Sequence, residues 1–439
     1  MVAEKPEKDG GTYFPEMKQP VIGFAGLTHL GLNSAVATAA RGFEVIGFHD
    51  DIQLVENLVN GIPHVSEPQL HEFMDANKER LEFSSDKTSL GRCDIVYISV
   101  DVPTDDKGMS NLVPVEEIIY LATGQMRKDA ILVILCQVPP GFTRKLNWPS
   151  LQLVYQVETL IFGRAIDRAF NPERFIIGLA DPKAGLPTDL AFYLQAFGCP
   201  ILPMRYESAE LAKISINMCL VASVTTANTL AELCEEIGAD WSEIVPALKL
   251  DKRIGQYAYL APGLGIAGGN LERDLATVCN FADRYGTDAR VVRAWIANSR
   301  YRRDWALRTL YREVLSKVED PVIAVLGLAY KQDTHSIKNS PSIALLEHLN
   351  QFRVRVFDPI VAASAAPNPR CHGAISELEA CDGADALVVM TPWSQFGKLD
   401  PIDIAKRLRG KVVLDPYAVL GAAACQSAGL SYRTLGAHA

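Results

Sequence analysis

The sequence lacks the features typical of disulfide-rich, metal-binding and nucleic-acid-binding proteins. Its nine cysteines are scattered, with no C-x-x-C pair or other metal-ligand spacing, so no metal site is predicted. Several cysteines lie in apolar runs, and no signal peptide precedes them, which favours free thiols in a reducing cytoplasm. The formal net charge of −9 argues against a nucleic-acid or anionic-membrane partner, because both favour basic patches.

The sequence also lacks an unbroken hydrophobic run long enough to cross a membrane. The longest apolar stretch, residues 211–233, is interrupted by Lys213, Asn217 and three further polar residues. It is therefore interpreted as a buried helix of a soluble protein, with no membrane partner. Residues 1–19 are polar and contain proline and glycine, so they are predicted to form a flexible tail.

What the sequence does contain is a repeated alternation of short apolar runs with helical patterns. This alternation predicts an α/β fold in which buried parallel strands carry helices on both faces. It occurs twice, so two Rossmann-like, doubly wound domains are expected. The apolar runs lie at residues 21–26, 43–49, 93–100, 130–136 and 174–180, and again at 321–330, 353–359, 385–391 and 411–416.

Between the two α/β regions, the pattern is helical. No residue breaks the helix from Glu207 to Gly238, and a helix of about 32 residues would be roughly 48 Å long. Such a helix spans a domain boundary or builds a dimer interface, and more helical sequence follows. The predicted domains are residues 20–205, a central helical region at 206–302, and residues 303–439.

The first strand is followed by G26-L-T-H-L-G31, an incomplete form of the G-x-G-x-x-G dinucleotide turn. Thr28 stands where the central glycine normally lets the backbone approach a pyrophosphate. His49 stands where a carboxylate would meet the ribose, and Asp50 and Asp51 follow it. Alone, this turn is weak evidence for a cofactor. We interpret His29 and His49 as incidental to any chemistry.

Seven further segments occur in an order that resembles the UDP-glucose/GDP-mannose dehydrogenase family, over about residues 20–420. The resemblance implies an N-terminal NAD-binding domain, a central dimerisation region and a C-terminal domain that binds a nucleotide sugar. It therefore implies NAD as cofactor, a nucleotide-sugar substrate, a role in polysaccharide biosynthesis and a cytoplasmic homodimer. The segments are residues 60–70, 137–143, 210–217, 251–255, 262–269, 327–331 and 340–342.

The family's oxidation of a sugar C6 alcohol to a carboxylate uses two NAD⁺ and a cysteine that forms a thioester. In this sequence the matching loop reads G-I-A-G-G-N-L-E-R-D (265–274), and Asn270 falls where the cysteine is expected. An amide cannot form that covalent intermediate. Cys279, nine residues further along, is expected to lie in the core.

The resemblance assigns roles to other residues of this chain. Lys213 and Asn217, one turn apart on the long helix, would hold the reacting oxygen, and Asp274 would accept the proton through water. Glu158 matches a family glutamate, whereas Phe162 replaces a second one. The remaining predicted contacts are Gly26, Thr28, Leu30, Gly31, Asp50, Val102, Gln137 and Lys331 for the cofactor, and Arg253, Gly265, Gly268 and Lys338 for the substrate.

Three functions stay open from the sequence. The first is an NAD-dependent oxidoreductase that removes two electrons from a nucleotide-sugar hydroxyl and stops, because Asn270 replaces the cysteine. The second is a redox-neutral epimerase that retains NAD and returns the hydride. The third, of another class, is a non-catalytic protein that binds nucleotide sugars. The nucleotide base, the sugar and the reacting hydroxyl are not specified by the sequence.

Overall fold

The computed structural model describes residues 18–103, 105 and 109–438. The chain divides into two compact units, Met1–Val102 with Leu112–Glu210, and Pro103–Asn111 with Leu211–Ala439. Residues 1–17 of the predicted tail lie outside the described residues. The predicted boundaries at residues 206 and 303 stay predictions.

The first unit is built on an eight-stranded sheet with the order β3-β2-β1-β4-β5-β6-β7-β8. The strands are β1 Ile22–Ala25, β2 Val45–Phe48, β3 Leu81–Ser84, β4 Ile95–Ile98, β5 Ile131–Ile134, β6 Leu153–Gln156, β7 Phe175–Leu179 and β8 Ile201–Arg205. The helices are α1 His29–Ala40, α2 Ile52–Val59, α3 Leu70–Ala76, α4 Val113–Thr123, α5 Ala165–Phe170 and α6 Thr188–Gln195. The predicted doubly wound α/β arrangement is confirmed.

One strand pair of this sheet departs from the expected parallel arrangement. Strands β6 and β7 run antiparallel, with Tyr155 opposite Gly178. The chain between them forms the short helix α5, which packs against α1. It does not form the crossover that a parallel pair requires. The expectation of an entirely parallel sheet is therefore wrong at this pair.

The long helix α7, Tyr206–Ile237, has the predicted length of 32 residues and carries the chain from one unit into the other. By length and composition alone α7 could cross a membrane, although core helices of soluble proteins can be equally long and apolar. In the most apolar 18-residue stretch of α7, only 33% is buried. The interpretation as a buried helix is thus correct for one face and wrong for the face that exposes Leu230, Leu233 and Ile237.

The second unit contains a six-stranded parallel sheet with the order β11-β10-β9-β12-β13-β14. The strands are β9 Val322–Leu326, β10 Arg353–Phe357, β11 Cys371–Gly373, β12 Ala386–Val389, β13 Val412–Leu414 and β14 Ser431–Arg433. The helices after α7 are α8 Trp241–Leu250, α9 Asn270–Tyr285, α10 Arg290–Arg303, α11 Trp305–Leu310, α12 Pro341–His348, α13 Glu377–Cys381, α14 Pro401–Arg407 and α15 Ala422–Ser427.

A buried arginine ties α7 to α10 inside the second unit. The Arg302 side chain is fully buried, with Nη1 3.1 Å from a Glu232 oxygen and Nη2 3.2 Å from a Glu235 oxygen. Glu235 also accepts hydrogen bonds from the Trp305 indole at 2.9 Å and from the Gly436 backbone N–H at 2.9 Å. The carboxylates compensate the buried positive charge, so this cluster holds two helices and the C-terminal segment together.

Candidate active site

Two of the predicted catalytic residues meet inside the second unit. The Asn217 amide on α7 donates a 2.5 Å hydrogen bond to a carboxylate oxygen of Asp274 on α9. Asp274 is 1% exposed and Asn217 is 7% exposed. A buried carboxylate needs hydrogen-bond donors to replace water, and Asn217 supplies one. The amide has a second N–H, which a ligand oxygen could accept from.

Arg273 is the second partner of this carboxylate. Its Nε lies 3.5 Å from the other Asp274 oxygen, and the Arg273 side chain is 6% exposed. These two charges are therefore buried and do not form a solvated start of α9. An arginine next to a buried carboxylate fixes its position and keeps a positive charge within the site.

Lys213 lies on the same helix, one turn before Asn217, and is half-buried. The spacing of four residues places the two side chains on one face of α7. Cys279 of α9 lies in a small apolar cluster with Val221 and Leu275, as the sequence predicted. Burial raises the pKa of the Cys279 thiol, which disfavours the thiolate that a nucleophile needs.

The glycine-rich loop before α9 adopts a backbone that other residues rarely adopt. Gly265 has φ +77° and Gly268 has φ +81°. The loop is anchored by a hydrogen bond from the Ile266 N–H to the Ser299 hydroxyl at 2.7 Å, and from the Gly268 N–H to the Lys338 carbonyl at 3.1 Å. The glycines thus place the start of α9 at a fixed point in the unit.

We expect Gly265→Ala to disrupt this loop. A Cβ at position 265 would lie 2.3 Å from the Ser299 carbonyl oxygen, and the positive φ adds backbone strain of about 1 kcal/mol. Turnover should fall at least tenfold and the melting temperature should drop. Gly263→Ala is the matched control, because a Cβ there meets nothing within 4 Å. Equal activity in the two variants would show that the loop geometry is unimportant.

Asn270 is the first residue of α9, and Gly269 caps the helix without a side-chain hydrogen bond. The Asn270 side chain is exposed. Its position at the helix N-terminus, four residues before Asp274, puts the amide close in sequence to the buried pair. The residue that caps α9 is Gly269, so Asn270 lies within the first turn of the helix.

The substrate predictions Arg253 and Lys338, together with Lys331, which was predicted to contact the cofactor, lie at different places in the second unit. The Lys338 carbonyl anchors the glycine loop, and its ammonium group lies 3.4 Å from the Asp105 carbonyl. Lys331 lies in the segment after β9, with Nζ 5.8 Å from the Tyr330 ring. The Arg253 side chain is 89% exposed and pairs with Asp251 at 2.6 Å. Arg253 is therefore held in solvent by its own neighbour in this structure.

The predicted cofactor turn lies in the first unit, between β1 and α1. A Cβ on Gly31 would lie 1.8 Å from the Gly26 carbonyl oxygen, so only glycine permits this contact between helix and strand. The Thr28 hydroxyl donates to the Ser99 carbonyl at 3.2 Å and accepts from the Asp101 N–H at 3.0 Å. The hydroxyl binds the end of β4 and makes no cap hydrogen bond to α1, while the Asp101 carboxylate accepts from the His29 N–H at the start of the helix.

A helix N-terminus next to two required glycines fits an anionic group such as a pyrophosphate. Leu30 can take part only through its backbone, because its side chain is buried in the core of the unit. Val102 and Gln137 follow β4 and β5 at the carboxyl edge of the sheet, and both are half-buried. Asp101 was not predicted as a site residue, although its position directly after a buried strand at this edge could have indicated it.

The end of β2 explains which carboxylate could reach a ribose. The His49 ring accepts a hydrogen bond from the Asp51 N–H at 3.1 Å, and Asp51 caps α2 by accepting from the Leu54 N–H at 3.1 Å. Asp50 is 82% exposed and lies 3.3 Å from His49. Both acids are exposed, but the Asp51 carboxylate already caps α2, which makes Asp50 the better candidate.

A buried histidine–carboxylate pair, which the sequence analysis missed, fixes the same turn. His29 Nε2 lies 2.7 Å from Glu67, and Glu67 also accepts from the Gly163 and Ala165 N–H groups at 2.8 and 3.2 Å. The Phe162 ring stacks on His29 at 4.1 Å. His29 is therefore a structural residue of the turn, and the family-like segment containing Glu67 was the available signal.

Glu158 follows β6 in the first unit and lines a small internal cavity of about 50 Å³, together with Gln156 and Tyr97. Its carboxylate accepts a hydrogen bond from the Leu160 N–H. Glu158 belongs to the first unit, whereas Asn217 and Asp274 belong to the second. The catalytic role of Glu158 stays a prediction.

The second unit has a corresponding glycine turn after β9, but its N–H groups already have a partner. Asp358, after β10, accepts from the Leu328 N–H at 2.6 Å and from the Ala329 N–H at 3.1 Å. Trp393 donates its indole N–H to the same oxygen at 3.2 Å. In this turn a protein carboxylate therefore occupies two of the backbone N–H groups that a bound anion would need.

Three models of one protein family match the chain. The NAD binding domain of the UDP-glucose/GDP-mannose dehydrogenase family matches residues 20–193, its central domain matches residues 207–300, and its UDP binding domain matches residues 324–422. Together they cover most of the chain and occur in the order that the sequence predicted.

Whole proteins show the same similarity. The chain is 28% identical over 432 residues to a UDP-glucose 6-dehydrogenase, TuaD, of Bacillus subtilis, covering 94% of this chain and 93% of that protein. It is 28% identical over 437 residues to a UDP-glucose 6-dehydrogenase of Pseudomonas aeruginosa, covering 94% and 96%. A solved UDP-glucose dehydrogenase of Pyrobaculum islandicum has a TM-score of 0.83 at 25% identity, covering 97% and 100%.

Proposed function

Since the chain belongs to the UDP-glucose/GDP-mannose dehydrogenase family and is an oxidoreductase with an NAD binding domain, we propose that it oxidises one hydroxyl of a nucleotide sugar by two electrons. The observation that carries this proposal is the buried pair of Asn217 and Asp274, held at 2.5 Å beside Arg273. The product is an aldehyde or a ketone. The enzyme acts in the cytoplasm, in the synthesis of a polysaccharide.

The residues of the first unit fit NAD. Gly26 and Gly31 permit the close turn, the α1 N-terminus supplies N–H groups for the pyrophosphate, and Asp50 is the acid that can reach a ribose hydroxyl. When bound, NAD accepts the hydride that leaves the alcohol carbon. Gln137 and Val102 line the same carboxyl edge of the sheet.

The second unit supplies groups for the oxygen and the proton. Asn217, through its second N–H, and Lys213, one turn before it, stabilise negative charge on the substrate oxygen as the C–H bond breaks. Preorganised donors of this kind contribute about 3 kcal/mol each to transition-state stabilisation. Asp274 accepts the hydroxyl proton through a water molecule. The alcohol thus loses one hydride and one proton, and no covalent bond to the protein is formed.

Asn270 limits the reaction to this first oxidation. A second oxidation by the family route needs a thiol that adds to the aldehyde, and a carboxamide does not do this. Cys279 does not replace it, because its thiol is buried in an apolar cluster. Lys338, Gly265 and Gly268 bind the nucleotide sugar, Arg253 reaches it after leaving Asp251, and Lys331 stays assigned to the cofactor. The printed names of the relatives make UDP-glucose the first substrate to test.

The number of NADH molecules formed per sugar tests this proposal directly. We expect one NADH and a carbonyl product from a panel of UDP-, GDP-, CDP- and TDP-sugars, measured by absorbance and mass spectrometry together. Asn270→Cys should raise the ratio towards two and yield a carboxylate. Asn280→Cys, which adds a thiol to the exposed face of the same helix, is the matched control and should leave the ratio at one.

Other results would assign a different function. Two NADH and a carboxylate from the unmodified protein would contradict the role of Asn270. A changed sugar without net NADH would support the epimerase, which the combination of a missing thiol with a buried oxygen-binding pair also permits. No turnover, with a melting temperature raised by a nucleotide sugar, would support a binding protein, because a ligand of the folded state stabilises it.

We also propose a homodimer formed through α7. Its exposed face carries Leu230, Leu233 and Ile237, which are 40%, 51% and 65% exposed and spaced by three and four residues. Apolar side chains at this spacing form one stripe, which a second copy would cover. Sedimentation of the unmodified protein should give twice the chain mass of 48.0 kDa. Leu233→Glu should give monomer, whereas Glu236→Gln should not.

A further inference from the structure

A positively charged cleft lies on the C-terminal sheet, apart from every predicted active-site residue. It has a volume of about 490 Å³ and is lined by β10, the edge strand β11 and α13. Clefts of roughly 300–1,000 Å³ are the usual size for small-molecule sites. None of the residues predicted to bind cofactor or substrate lines it. The residues that matter for the argument are Arg353, Arg355, His372 and Glu379.

The two arginines project from one face of β10. They are two residues apart, so their Cα atoms lie about 7 Å from each other along the strand. His372 lies opposite Arg355 in the register of β10 and β11, and parallel neighbours in register point to the same face. Two guanidinium groups and an imidazole therefore line one side of the cleft, at a separation that one anion with several oxygens can bridge.

The positive charge of this region is only partly compensated. Arg353 pairs with Asp320 at 2.8 Å, but Asp320 is shared with Arg370 at 3.6 Å. Arg355 makes no ion pair with any residue that the structure describes, and donates only a 3.4 Å hydrogen bond to the Glu379 carbonyl. The region thus contains three guanidinium groups, those of Arg353, Arg355 and Arg370, but only two carboxylates, those of Asp320 and Glu379.

Hydrogen-bond donors of the cleft are also incompletely used. The Nε of Arg353 is buried and has no acceptor among the described residues. Because this Nε is closed to solvent, the donors available to an anion in the cleft are the outer N–H groups of the two guanidinium groups. The guanidinium group presents N–H donors in a planar fork that matches phosphate oxygens.

We propose that this cleft binds the phosphate group of a small molecule. A phosphate carries about two negative charges and three acceptor oxygens at pH 7, more than a carboxylate can offer to Arg353, Arg355 and His372 together. The site is separate from the proposed catalytic function, and does not depend on it. A phosphorylated metabolite bound there would contact the sheet edge and leave the glycine loop and Asp274 untouched.

Isothermal titration of the full chain with inorganic pyrophosphate, at 0.15 M salt and with saturating NAD and UDP, tests the proposal. NAD and UDP fill the predicted cofactor and nucleotide sites, so the remaining binding reports the cleft. Arg355→Gln should weaken it about tenfold, the usual effect of losing a hydrogen bond to a charged group. Glu379→Gln should strengthen it severalfold, because a negative charge leaves the cleft.

Lys338→Gln and Arg312→Gln are the controls, one at the predicted nucleotide site and one on the exposed surface. Both should bind pyrophosphate as the unmodified protein does, and unchanged melting temperatures would show that the variants are folded. No detectable binding by the unmodified protein, or superimposable isotherms for it and Arg355→Gln, would overturn the proposal. Neither result would bear on NADH formation, so the failure of the cleft and that of the catalytic proposal are distinguishable.

Discussion

Asp274→Asn should abolish most of the turnover while leaving the fold intact. An asparagine at position 274 can still accept the hydrogen bond from Asn217, which now spans 2.5 Å, but it cannot take a proton from the substrate. Loss of a general base typically lowers the rate by about 10²–10⁴-fold. Steady-state kinetics with NAD and the nucleotide sugar should show this loss in kcat, with a small change in KM.

Asp283→Asn is the matched control for this experiment. Asp283 lies on the same helix, α9, but its side chain is 67% exposed and pairs with Arg293 at the surface. Its replacement should change kcat by less than about twofold, since exposed ion pairs contribute little. Comparable losses in both variants would mean that α9 tolerates no charge change, and would contradict the proton-accepting role of Asp274.

Arg302→Ala is expected to give the largest loss of stability. The substitution removes a fully buried cation and leaves Glu232 and Glu235 facing each other without it. Removing one partner of a buried ion pair costs about 3–5 kcal/mol. For a unit of roughly this size each kcal/mol shifts the melting temperature by about 2–4 °C, so a fall of about 10 °C is expected in differential scanning calorimetry.

Arg290→Ala provides the comparison, because it changes the same residue type in the same helix. The Arg290 side chain is 90% exposed and pairs only with Asp288. Its loss should change the free energy of unfolding by about 0.5 kcal/mol or less. If Arg302→Ala melted at the same temperature as Arg290→Ala, the buried cluster would not stabilise the second unit. Arg302→Met, which fills the same space without charge, should fall between the two.

Much of the fold could be predicted, because buried parallel strands and long helices leave strong patterns in a sequence. The apolar runs placed nine strands correctly, and the unbroken helical pattern placed α7 within one residue at each end. The edge strands β3, β8, β11 and β14 were missed, since edge positions mix polar and apolar residues. The short interior strand β6 was missed as well. The antiparallel β6–β7 pair was also missed, because strand direction depends on how the connecting segment packs.

Residues of the candidate site could be predicted only where they lie in a segment that resembles the family. Such segments pointed to Asn217 and to Asp274, and the structure brings these two together. The burial of Arg273 against Asp274 was not predictable from the sequence, because it depends on how α7 and α9 pack. Glu67 binds His29 across 38 residues of sequence, and no periodic pattern reports a contact between residues so far apart.

We expect Asp358 to limit the number of dinucleotides that one chain binds. Both units carry a glycine turn at the carboxyl end of their first strand, so topology alone would allow two. In the second unit, however, the carboxylate of Asp358 already occupies the N–H groups of Leu328 and Ala329. Equilibrium dialysis with radiolabelled NAD should therefore saturate at one molecule per chain. The chain would then have one cofactor-binding site although its α/β architecture occurs twice.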